Sequence, residues 1–166
     1  MKRAGTLLMY VFMMLHLLAC AQTKNLIKKT YATYSVHIPG NIPVDQNGNE
    51  IPMRDTVFTV YVESTSADVN WSSAWFDGKS YTVIANLIDT SQVDAGTLMS
   101  NNQKLVIKKT LGSNTLWHIQ LLLAQKILPS PVTPVHGQII IVGKYHGKKI
   151  LKKITSMMEI EGIPTP

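Results

Sequence analysis

Along most of this chain hydrophobic and polar residues alternate with a period of two. Tyr34, Val36 and Ile38 alternate with Thr33, Ser35 and His37, and Phe58, Val60 and Val62 with Thr59, Tyr61 and Glu63. Tyr81, Val83, Ala85 and Leu87 share one face, although Ile84 and Ile88 make the opposite face partly apolar. Trp117, Ile119, Leu121 and Leu123 alternate with Leu116, His118, Gln120 and Leu122. Successive side chains of a strand point to opposite faces, so this period marks strands with one buried face, and Val, Ile, Thr and Tyr suit them. Three further strands are expected at 105–109, 138–142 and 150–154. The run Gln138-Ile139-Ile140-Ile141-Val142 is apolar on both faces, which places it centrally, and Gly147 marks a tight hairpin leading from it to the last strand.

Helical signals are weak by comparison. Residues 66–71 and 91–96 are expected to form one or two helical turns, and neither carries a long 3.6-residue period. The Leu-rich stretch 116–126 resists a helical reading, because Gly112-Ser113-Asn114 precedes it and Pro129, Pro131 and Pro134 follow. About seven strands without a long helix predict an all-β fold: an antiparallel β-sandwich of immunoglobulin-like or transthyretin-like architecture, ahead of a small barrel. The Cys…Trp…Cys pattern of true immunoglobulin domains is missing, so that likeness is architectural only. A single domain over 26–161 is expected, followed by a short C-terminal tail at 162–166.

The N-terminus breaks the alternation. Lys2 and Arg3 precede thirteen residues, 7–19, with no formal charge. A membrane-spanning helix needs about 20 apolar residues, whereas a positive start, a short apolar run and small residues form a cleaved export signal. Leu17-Leu18-Ala19-Cys20 resembles a bacterial lipobox, with Leu18 a less usual residue at its position. This reading makes 1–19 the signal, Cys20 the lipidated residue and 20–25 a short tether. Ala19-Cys20-Ala21 also fits ordinary signal cleavage, which would release a soluble periplasmic or secreted chain starting at Gln22. The lipid reading is preferred because it gives the single cysteine a role.

Composition and charge sharpen this picture. The 166 residues are 45% hydrophobic, which is too apolar for a disordered chain, and one cysteine excludes an internal disulfide. The net charge of +6 is unevenly placed: from Ala95 to Met158 there are nine lysines and no acid. Lys144, Lys148, Lys149, Lys152 and Lys153 gather on one expected hairpin. They would either protect a sheet edge from unwanted pairing or dock an anionic partner such as lipid headgroups or an acidic protein. Nucleic acid is excluded as a partner by export and by the lack of a nucleic-acid module.

Candidate chemistry is sparse. Trp71, Trp75, Phe76 and Tyr81 could form a sugar-stacking or protein-binding surface, or could instead cap one end of the core. Asp45, Asn47, Asn49 and Glu50 supply oxygens at close spacing, but Asn-Gly turn chemistry explains them without a metal. His37, His118, His136 and His146 are each isolated, and HExxH, GxSxG, P-loop and GxGxxG motifs do not occur in a fitting context. The expectation is therefore an exported, membrane-tethered envelope protein that works as a non-catalytic interaction or accessory subunit, without cofactor or metal. A carbohydrate-binding module is the alternative.

Overall fold

The computed structural model describes residues 26–37, 45–49 and 55–162. The expected export signal at 1–19, Cys20 and the tether at 20–25 lie outside the described residues. The described chain is all-β. Ten strands follow in order: β1 (Ile27–His37), β2 (Asp55–Ser64), β3 (Val69–Phe76), β4 (Lys79–Ile88), β5 (Gln92–Thr97), β6 (Lys104–Lys108), β7 (Thr115–Leu123), β8 (Ile139–Tyr145), β9 (Lys148–Ile154) and β10 (Met157–Glu159).

Eight strands form one curled sheet in the order β10-β1-β2-β7-β4-β3-β8-β9, and β5 pairs with β6 in a separate hairpin. All pairings between strands are antiparallel except β1 with β10. The curl brings β1, near one edge, into contact with β9 at the other. The inner face closes on one core that includes Ala32, Val60, Val62, Ile119, Ile139, Ile141 and Ile150, each at an alternate strand position. Full burial of each such Val or Ile stabilises the fold by roughly 1.5–3 kcal/mol, so this shared core is what holds the curl.

The outer faces are covered separately. The β5–β6 hairpin lays Ala95 and Ile107 against Tyr61 and Leu116. Beyond β7, the segment 124–138 crosses the other outer face, where Val132 packs near Trp75, Ile140 and Val142.

Two segments depart from expectation. The stretches 66–71 and 91–96, expected as helical turns, run into β3 and β5. Each carries a register irregularity, at Trp71/Ser73 in β3 and at Asp94/Thr97 in β5, which interrupts the two-residue period in the sequence. The β3 bulge also flips faces: Trp71, Ala74 and Phe76 join the inner core, while Trp75 packs on the outer side. Gly143 lies across from this bulge, and a Cβ there would come within 2.8 Å of the Asn70 carbonyl oxygen. Two tight hairpins use left-handed backbone pairs, Asp77 (φ 45°) with Gly78 (φ 77°) and His146 (φ 46°) with Gly147 (φ 75°). Paired positive φ values are the mark of the type I′ turn, whose twist matches the flanking strands.

Candidate functional site

The strand register gives the molecule two ends. Ile27 lies opposite Ser64, Ser64 opposite Thr115, Ile88 opposite Leu116, and Val69 opposite Tyr145. The end where the chain enters at Leu26 therefore also holds the 65–68 loop, the 109–114 turn and the β8–β9 hairpin turn. The opposite end holds the close of β1, the start of β2, the Asp77-Gly78 turn and the close of β7.

The chain-entry end carries Lys28, Lys29, Lys108, Lys109, Lys144, Lys148 and Lys149, and all but half-buried Lys109 are exposed. Asp68 and Asp89 are the exposed acids of the same end, beside the buried Glu63. Lys144 stands directly across from Lys149, and like charges in that position repel. The Tyr145 and His146 rings lie 4.1 Å apart, tilted by 52°, on the hairpin tip. The five lysines singled out in the sequence are thus divided. Lys152 and Lys153 lie opposite Ile141 and Ile140, farther along β9 toward the other end.

Glu63 ends the β2 row at the chain-entry end and is 1% exposed. Its carboxylate accepts from the Asn114 amide nitrogen (2.6 Å), the Thr110 backbone N–H (2.6 Å) and the Thr110 hydroxyl (2.7 Å). Burial pushes its carboxyl upward, and these bonds with the Leu111 N–H outweigh that push, holding it below the ordinary glutamate value. This carboxylate fastens the 109–114 turn to the sheet.

At the far end, a cleft of about 310 Å³ is lined by residues that include Asp55, Phe58, Asp77, Lys79, Tyr81 and Leu123. Phe58 makes its aromatic floor, with Phe76 at 4.8 Å and Tyr81 edge-on at 5.9 Å. Asp77 accepts from the Gly137 N–H at 2.9 Å and pairs with exposed His136 at 3.1 Å. Burial, followed by the charge of Asp77, pushes the Tyr81 hydroxyl up from its ordinary value. The same end exposes apolar side chains: Leu123 on the cleft itself, Val57 and Leu122 on the adjoining strands, and Ile127 (80% exposed) and Leu128, which line a second cleft with Trp75 and Gly78.

The four aromatic candidates do not share a platform. Trp71, Trp75 and Tyr81 are 7%, 6% and 7% exposed. Trp71 packs edge-on against Trp117 on the inner face, at 6.4 Å. The indole of Trp75 donates to the Leu128 carbonyl (2.9 Å) on the outer face. Phe76 and Tyr81 alone come together, around Phe58.

Asp45 accepts from the Asn47 and Asn49 backbone N–H groups at 2.8 and 2.9 Å, an Asx-type turn. Among the described residues no group of three or more His, Cys, Asp or Glu side chains is placed to hold a metal. His118 sits on β7 beside the Tyr61 ring, and burial lowers its pKa. Sequence reasoning missed Asp55 and Asp77 in the cleft, although Asp77-Gly78 carried a readable turn signal. It also missed Lys28, Lys29, Lys108 and Lys109 as companions of the hairpin lysines, which no local pattern announces. No family model, curated protein or solved structure matches this chain.

Proposed function

We propose that this chain is an exported bacterial envelope protein, tethered to the membrane through a lipid on Cys20, that acts as a non-catalytic accessory subunit by protein contact. The observation that carries the contact surface is the gathering of exposed apolar side chains at the end opposite Leu26. Scattered apolar residues are ordinary on a surface, but a contiguous exposed group is the mark of an interaction site. A tether at the opposite end would present that group outward, away from the lipid. The scaffold is taken as a curled β-sandwich. In support, β1 and β2 on one side and β3, β8 and β9 on the other bury residues in the same core.

The test places a photo-crosslinking residue at Ile127 or Leu123 and, as control, at Met99 in intact cells. A discrete adduct is expected from Ile127 and Leu123 alone. Crosslinks that fail to form at both positions, or that form equally at Met99, reject the reading.

The far-end cleft supports a second reading, a carbohydrate-binding module. Its aromatic floor with Asp55, Asp77 and Lys79 at the rim suits a sugar ring, which offers apolar faces and hydroxyls together. A glycan array should then give a defined signal that falls at least about tenfold with Asp77→Asn, since leaving a buried polar contact unmade costs ~1–3 kcal/mol. An array without signal sets this second reading aside.

A further inference from the structure

We propose that the chain-entry end of the sheet is a docking surface for anionic lipid headgroups, which would seat the protein upright on the membrane with its apolar end outward. The placement of this surface beside the membrane rests on the lipid-anchor reading; its chemistry does not.

Three observations meet at this end. First, seven lysines from four separate stretches of chain lie at this end of their strands, against two exposed acids, Asp68 and Asp89. Second, edge protection does not account for Lys144. Lysines on β9 guard an open edge, but Lys144 lies on β8, which is paired on both sides by β3 and β9. Lys144 and Lys149 face each other across the ladder and have no ion pair among the described residues. That repulsion is relieved by an anion bound over both. Third, the same end exposes apolar and amphipathic groups, Leu111 at 59%, Leu87 at 48% and the Tyr145–His146 hairpin tip. Lysines interspersed with such groups match a bilayer surface, where phosphates lie beside the start of the acyl region.

The chain itself brings this end to the lipid. Cys20 is six residues before Leu26, and six residues span at most about 20 Å. A lipid on Cys20 would thus hold Leu26, and the lysines around it, close to the headgroups. The surface field decays over about 8 Å at physiological ionic strength, so only this end of the molecule would feel it. The far end, with Asp55 and Asp77 in its cleft, would stand beyond it.

The test has two arms. In the first, palmitate labelling compares wild type with Cys20→Ala; an unlabelled wild type overturns the anchor reading and leaves the second arm standing. In the second, the Cys20→Ala protein is sedimented with vesicles of phosphatidylcholine alone, or of phosphatidylcholine and phosphatidylglycerol in equal parts. Binding is expected to the anionic vesicles only and to weaken as salt rises. The Lys144→Gln/Lys148→Gln/Lys149→Gln variant should bind about fivefold less per lysine removed, on the order of a hundredfold in all. The Lys152→Gln/Lys153→Gln variant should bind as the parent does. A thermal melt unchanged from the parent would show that the triple variant remains folded. Equal binding to both vesicle types overturns the proposal, as does an equal loss in both variants. Retention on immobilised polyglutamate without vesicle binding overturns it in favour of an acidic protein partner.

Discussion

Glu63 sits at an outward-facing β position with its carboxylate almost wholly out of water. Such a group persists only when its hydrogen bonds offset the loss of hydration. Thr110 and Asn114 provide them from a turn that carries no other acid. Glu63→Gln keeps the shape and can leave its oxygen on the Asn114 amide and the Thr110 N–H, but its amide nitrogen then replaces the oxygen that faces the Thr110 hydroxyl; with the charge-assisted bonds lost, the change should cost about 1–3 kcal/mol. The acidity shift gives this a pH signature. Because the folded state holds Glu63 below its unfolded value, the stabilisation is fully present above the unfolded pKa of about 4.3. It is lost as pH falls through the folded value. Urea unfolding at pH 7 and again below pH 4 should show the wild type losing more stability than Glu63→Gln. Parallel slopes for the two proteins would remove Glu63 from this role.

At the scale of elements, strands were legible wherever alternation ran unbroken, as in β2 and β7. β3 was hidden because its bulge puts Trp71 and Trp75 on opposite faces, four residues apart, as a helical spacing would not. Its aromatic run therefore read as a turn with rings beside it, whereas the rings serve two different packing layers. β5 was hidden for a related reason. Asp94 accepts from the Gly96 N–H, and Gly96 takes a φ of 116°, so the strand is bent inside six residues. The β3 bulge depends on a neighbour without a side chain. Gly143→Ala would drive a methyl against the Asn70 carbonyl and the Trp71 ring, and should destabilise by about 1–3 kcal/mol. The change should appear as a lower urea midpoint with an unaltered slope; a midpoint equal to wild type would show that the bulge yields freely.

At the scale of the whole molecule, chain order and spatial order part company. The nine lysines between Ala95 and Met158 form one block in sequence, but the fold distributes them over both ends and adds Lys28 and Lys29 from the first strand. The sequence by itself determined the all-β class, since a two-residue period admits no other backbone, and it determined the Gly147 hairpin, since Gly at positive φ closes such a turn without steric cost. It also determined the excess of positive charge in the second half, which is a property of composition. Only the tertiary structure decided which charges are neighbours, which aromatics are buried and which end carries which chemistry. Those depend on strand pairing between residues as distant as Val69 and Tyr145, and a bulge or a curl that reassigns faces leaves no periodic trace in the chain.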